Sequence, residues 1–209
     1  MDAFTSITAA AIPIDIANCD TDQIIPARFL RYLPSDGGFD RYLFHDLRYT
    51  ADGEERPEFI LNQAPFRDGK IVVADINWGC GSSRESAVYA LYANGIRCVI
   101  APSFGDIHFN NCMKHGVLPV RLTREACDEL RQQLHDSPGS ELTVDLEDQI
   151  VRGPGNITYD FEVGAFDKHR MLNGLDEVGV TLEHMSDIEK FEAEHFGNEY
   201  RWVSRPGAS

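Results

Sequence analysis

The pattern of apolar and polar positions is sharpest in the middle of the chain. Lys70-Ile71-Val72-Val73-Ala74 is a compact β-branched run of the kind that forms a buried strand. A glycine-bearing turn over 77–81 follows, and Ser82-x-x-Glu85 has the spacing of a capping box that opens a helix. Ala87, Val88, Leu91 and Tyr92 recur at helical spacing and give that helix one apolar face. Gly95 stands where a left-handed C-terminal cap belongs, and Cys98-Val99-Ile100-Ala101 reads as the next strand. This order predicts a parallel βαβ unit with a right-handed crossover. A second unit repeats it: a helix over 106–115 closed by Gly116, a strand over 117–122, and a helix from 124 to about 135 capped by Thr123.

Towards the ends the period changes. Ile12, Ile14 and Ile16 alternate, predicting a strand over 11–16 that runs into a turn over 18–22. Residues 28–65 are polar, aromatic and broken by Pro34, Gly37, Gly38, Gly53 and Pro57; they predict irregular structure with a short helix near 39–47. A connection that long is uncommon unless it has a function. Beyond Pro138-Gly139, Leu142, Val144 and Leu146 with 150–152 predict a hairpin, and 157–163 a further strand. The end reads as helical over 168–172 and again over 187–196, where Ser186-x-x-Glu189 resembles a capping box. Low complexity is confined to the tail 204–209. With no repeat and no linker, the expectation is one α/β domain over 1–209 with an ordered core of about 4–196.

Composition narrows the function classes. Hydrophobic residues at 43% and charged residues at 25% fit a globular chain rather than a disordered one. The 19 basic and 34 acidic residues leave a net charge of −15, which opposes nucleic-acid binding and an anionic membrane surface. No apolar run reaches the length of a membrane helix. No basic residue precedes Arg28, so the start lacks the charged region of a signal peptide, and the expected location is the cytoplasm. Cys19, Cys80, Cys98, Cys112 and Cys127 are scattered and odd in number, which predicts free thiols and no self-contained cluster or zinc site. The seven histidines show no metal spacing and read as surface or satisfied core residues; Glu189, Glu192 and Glu194 read as a solvated helix face.

Candidate chemistry concentrates in Asn77-Trp78-Gly79-Cys80-Gly81-Ser82-Ser83-Arg84-Glu85, at the carboxyl end of a strand and the start of a helix. Free N–H groups and the helix dipole converge there and favour an anion. Gly79 and Gly81 permit close backbone approach, Arg84 can grip a carboxylate on two bonds, and Ser82 or Ser83 can present a hydroxyl. Dinucleotide, Walker and nucleophile-elbow patterns all fail, the first because Arg84 stands where a glycine is needed. On these residues alone an ordinary helix start, capped by Ser82 with Arg84 as a surface charge, remains the alternative.

Three segments carry a resemblance. Gly79-Cys80-Gly81-Ser82-Ser83-Arg84-Glu85 resembles the G-x-G-S-S-R-E motif of the swivelling domain of the aconitase superfamily. Asp20-Thr21-Asp22-Gln23-Ile24-Ile25-Pro26 resembles that family's D-T-D-x-I-I-P segment. Gly174-Leu175-Asp176-Glu177-Val178-Gly179-Val180-Thr181-Leu182 resembles the G-L-D-x-I-G-x-T-L of bacterial isopropylmalate isomerase small subunits. The resemblance spans about 4–195 and implies a three-layer β/β/α swivelling fold. It implies a hydro-lyase that interconverts 2-isopropylmalate and 3-isopropylmalate through isopropylmaleate in leucine biosynthesis. It further implies no cofactor on this chain and a large-subunit partner holding a [4Fe–4S] cluster.

By the same resemblance Ser82 is the base that removes a proton next to a carboxylate, Arg84 binds a substrate carboxylate, and Ser83 is a neighbour bonding substrate or backbone. Asp22, with Thr21 and Asp20, belongs to the active-site acid segment and is placed to orient Arg84 or a water; Cys80 fills the variable position as a small residue. Residues 28–38 correspond to a loop that reads the substrate's distinguishing group. Leu30, Tyr32 or Leu33 would suit an alkyl group; Arg28 or Arg31 would suit a carboxylate, and the alternative within the same fold is the small subunit of a related hydro-lyase such as homoaconitase, methylcitrate dehydratase or dimethylmalate dehydratase. An anion-binding regulatory module without catalysis is the reading from another class.

Overall fold

The computed structural model describes residues 1–196; the low-complexity tail lies outside them. Seven strands among the described residues form a mixed sheet in the order β4-β3-β2-β1-β5-β6-β7. They are β1 (Ser6–Ile14), β2 (Ile71–Ala74), β3 (Cys98–Ala101), β4 (Leu118–Arg121), β5 (Glu141–Asp145), β6 (Ile150–Arg152) and β7 (Thr158–Asp160). The first four run parallel and the last three run antiparallel. β1 joins the halves by changing partner along its length. Ser6 to Ala10 pair with β5, and Ala11 to Ile14 pair with β2.

The helices are α1 (Thr21–Ile24), α2 (His45–Arg48), α3 (Ala64–Arg67), α4 (Glu85–Ala93), α5 (Asp106–Lys114), α6 (Arg124–Asp136), α7 (Ala165–Asn173), α8 (Glu177–Glu183) and α9 (Met185–Phe196). Strand alternation divides the interior in two. Val72 and Ala74 point into a core shared with Val88 and Leu91 of α4, Ile24 and Phe44. Ile71 and Val73 point the other way, into a core shared with Cys127, Leu130 and Leu134 of α6 and with Leu142 and Val144 of β5. The α/β class and its layering, a curled sheet with helices against both faces, follow from this alternation. No helix among the described residues is long and apolar enough to cross a membrane.

Several element boundaries differ from those expected. β1 starts at Ser6 and ends at Ile14, because Asp15 and Ile16 have left the ladder. Asp20 does not merely turn the chain. It caps α1 through a reciprocal pair with Gln23, Gln23 N–H to Asp20 at 2.7 Å and Asp20 N–H to Gln23 at 2.9 Å. The helix expected near 39–47 is two separate turns, Phe39–Arg41 and His45–Arg48, divided by Phe44 at φ 50°. The Ser186 capping box does not form, since α9 already includes Met185; α8, capped by Asp176 bonding Gly179 N–H, stands before it instead. Residues 28–65 are otherwise largely irregular, as expected, with one-turn helices, and are anchored by buried Arg48, whose Nε donates to Asn62 at 3.1 Å while Asn62 donates to the Arg48 carbonyl at 2.7 Å.

Candidate active site

The carboxyl ends of parallel strands are where an α/β sheet leaves a crevice for ligands. Here the loops that leave β1, β2 and β3 are stitched side by side beyond the sheet. Gly79 N–H donates to the Cys19 carbonyl at 2.7 Å, and Thr21 N–H donates to the Cys80 carbonyl at 3.1 Å. On the other flank Trp78 N–H donates to the Ser103 carbonyl at 2.9 Å, and Gly105 N–H to the Trp78 carbonyl at 2.8 Å. The sheet's register thus continues as single bridges, Asp20 with Cys80 and Trp78 with Phe104. Two motifs some 60 residues apart (80 minus 20) are held at fixed spacing by backbone bonds, with Asn77 Nδ2 donating to Asn18 Oδ1 at 2.8 Å beside them.

The result is one small cleft lined by Thr21, Asp22, Ile25, Leu30, Ser82, Arg84 and Ala87. Four of the five site residues read from the sequence meet there. Ser83 does not line it; its hydroxyl is buried with no hydrogen-bond partner. Ser82 is exposed and does not cap α4, contrary to the capping-box reading. Gly81, at φ 86°, turns the chain away from helical geometry, and Ser83 N–H bonds back to the Gly81 carbonyl at 3.0 Å. The helix therefore begins three residues later, with Arg84 in extended conformation as its N-cap residue and no side chain capping it. Arg84 lies before the first turn rather than within it. Its guanidinium meets no carboxylate among the described residues, Asp22 included, although both line the cleft.

Of the residues considered for reading the substrate, Leu30 alone lines the cleft. Arg28 is ion-paired to Asp46 and bonded to His45. Arg31 bonds Tyr32, whose ring stacks on Tyr42. Leu33 faces solvent.

Two supporting residues were not legible as such. Arg131 of α6 is buried at the root of both site loops. It donates to the Ala74 carbonyl at 2.8 Å, to Asp15 at 2.8 Å and to Asp128 at 2.6 Å. It thereby ties the end of β1 to the end of β2. Its partners lie up to 116 positions away (131 minus 15), so no local pattern marks it.

His108 is the second. It is fully buried with neither ring nitrogen hydrogen-bonded, so it is not a satisfied core histidine as expected. Its ring lies against Gly79, where a Cβ would come within 2.3 Å of it, and Gly79 sits at φ 67°. Gly79 is thus required for two reasons, left-handed backbone and an occupied space. Burial pushes the His108 pKa from 6.5 down to about 4. Between those values the unfolded chain binds a proton that the folded chain refuses, so stability falls as pH drops through this window and is unaffected above it. Replacing His108 with leucine should remove that acid-dependent loss, roughly 3 kcal/mol by pH 4. Melting temperatures from pH 7 to pH 4 for wild type and H108L test this; parallel curves would show that His108 is not the source.

Four of the five thiols are poorly suited to a metal centre. Burial pushes Cys19 and Cys127 up to about 12 and raises Cys98 and Cys112 as well, away from the thiolate that a metal requires. Among the described residues no three His, Cys, Asp or Glu side chains converge as a metal site.

A curled mixed sheet bearing a serine and a free arginine at the carboxyl ends of its parallel strands defines the class: residues 1–125 match the aconitase C-terminal domain family, and residues 128–165 match the LeuD_N family. The relatives are more particular. The chain is 51% identical over 192 residues to the 3-isopropylmalate dehydratase small subunit of Gluconobacter oxydans, covering 92% of each. It is 48% identical over 206 residues to that of Granulibacter bethesdensis, covering 99% of this chain and 95% of that one. A solved structure of 3-isopropylmalate dehydratase from Methanocaldococcus jannaschii superposes with a TM-score of 0.65 at 25% identity, covering 89% of this chain and 99% of the other. The chain belongs to the 3-isopropylmalate dehydratase small-subunit family.

Proposed function

We propose that this chain supplies the base and the carboxylate grip of a cytoplasmic hydro-lyase that interconverts 2-isopropylmalate and 3-isopropylmalate through isopropylmaleate. Ser82 Oγ takes the proton from the carbon next to a substrate carboxylate. A serine hydroxyl is a weak acid, so its anion needs a preorganised positive surround. Arg84 and the uncapped N-terminus of α4 furnish one at the same cleft. Arg84 holds the carboxylate in bidentate fashion, while Thr21 and Asp22 line the same cleft. Ser83 closes the turn through its backbone N–H, which bonds the Gly81 carbonyl at 3.0 Å. The hydroxyl that leaves needs an acid, and a [4Fe–4S] cluster on a large subunit supplies Lewis-acid chemistry for it.

The observation that carries this reading is the convergence of Ser82, Arg84, Asp22 and Leu30 on one cleft. Leu30 also favours isopropylmalate over substrates with a third carboxylate, because the neighbouring Arg28 is already paired with Asp46. The test uses the chain with and without its large subunit. The pair should hydrate isopropylmaleate far faster than cis-aconitate, and the chain alone should do neither. Leu30→Ala should narrow the pair's preference by roughly tenfold or more, the worth of a lost alkyl contact. Hydration by the isolated chain would refute the division of labour; a pair that prefers aconitate would refute the substrate.

A further inference from the structure

The C-terminal arm, α8 and α9, is built unlike the rest of the fold. No residue of α8 is buried. α8 is held at its two ends by Lys114 to Glu177 at 2.6 Å and His169 to Glu183 at 3.0 Å. Beyond that, among the described residues the hydrogen bonds and the ion pair of α9 reach no further than His184, the residue before it. Its apolar residues are nevertheless patterned. Val178 and Leu182 are one turn apart on α8; Met185, Ile188 and Phe191 follow at spacings of three on α9. Val178 is 65% exposed, Leu182 56% and Phe191 55%. Helices of this length are marginal by themselves in water and draw their stability from a packed apolar face.

Val178 also lines a solvent-open groove together with Pro34, Phe39, Tyr89 and Tyr92. The groove reaches Glu85, the residue after Arg84, so a body lying along the arm would abut the proposed catalytic cleft.

We infer that α8, α9 and this groove form the surface that docks the large subunit. The inference rests on the subunit reading above and deepens it. Charge selects the occupant. On α9, Asp187, Glu189, Glu192 and Glu194 against Lys190 leave a net of −3. A second copy would bring the same acidic strip and a further −15, which repels. A different chain with an apolar strip flanked by basic residues is complementary. The arm also lies within the length over which a relative called a small subunit matches 99% of this chain. The acidic residues, expected to be a solvated face, become the polar rim of the interface.

The experiment titrates cluster-loaded large subunit with the full-length chain, wild type or Leu182→Asp with Phe191→Asp, by sedimentation and by isopropylmaleate hydration. The double variant should bind at least tenfold more weakly yet regain near wild-type turnover at saturating large subunit, with an unchanged circular dichroism melt. Rising salt should weaken the wild-type pair. If the double variant melts early, Val178→Ser with Met185→Ser is measured instead, and the same tenfold weakening is expected. Unchanged affinity in a folded variant overturns the inference, as does loss of a small-subunit homodimer with the pair intact. A wild-type chain that binds no large subunit overturns the subunit reading itself.

Discussion

Ser82→Ala should abolish turnover of the reconstituted pair, by at least about 10²–10⁴ in kcat, with no loss of folding stability. The second half of this expectation comes from the backbone around Gly81. Because Ser82 is exposed and caps nothing, truncating it forfeits no helix hydrogen bond, and its stability effect should stay within about 0.5 kcal/mol. A capping serine would behave in the opposite way, losing about 1 kcal/mol and little activity. Steady-state hydration and a thermal melt on the same preparation separate the two roles. A variant that melts early but turns over normally would remove Ser82 from the chemistry.

Arg84→Lys should lower kcat/KM by about 1.5–3 kcal/mol, the worth of a charged hydrogen bond, while the free chain folds with unchanged stability. Lysine keeps the charge but loses the planar fork that meets a carboxylate on two bonds. The guanidinium stands at the positive end of α4 without a carboxylate partner among the described residues. That placement is mildly unfavourable for the helix and has a use only when an anion binds. Steady-state kinetics over a range of isopropylmaleate concentrations provide the measurement. A lysine variant within about twofold of wild type, roughly 0.4 kcal/mol, would show that Arg84 does not hold the substrate.

What the sequence disclosed about the fold follows from where the physical signal is local. β2, α4 and β3 were legible because buried parallel strands are continuous β-branched runs and Gly95 and Gly116 punctuate the helices at φ 78° and φ 79°. Thr123 was legible as a cap and is one, accepting from Ala126 N–H at 3.2 Å. Ser82 was misread because the capping-box spacing says nothing about the residue before it. Gly81 in left-handed conformation moves the helix start from Ser82 to Glu85, and only the fold sets that conformation. α8 is not legible from its pattern, because Gly179 inside it lowers helical propensity and its cap, Asp176, also belongs to the 174–182 motif. For the cleft, chemistry was legible by residue type but geometry was not. That Leu30 rather than Tyr32 or Leu33 reaches it depends on Arg28, Asp46 and the ring stack on Tyr42; that Ser83 does not goes with the turn at Gly81.

The change of partner along β1 bears on how the molecule is assembled on the ribosome. Ala11 to Ile14 can pair with β2 once Ala74 has emerged, but Ser6 to Ala10 have no strand partner until β5 at Glu141 to Asp145 has emerged. During that interval the first strand carries an open edge, the kind of surface that pairs with other chains. Thr8, whose hydroxyl later bonds that of Thr143 at 2.8 Å, and the flanking Ser6 make this edge polar on one side while it waits. Replacing them with valine would leave the finished sheet nearly unaltered and expose an apolar edge throughout synthesis. The damage would then register as lost soluble yield at high expression rates rather than as a lower melting temperature.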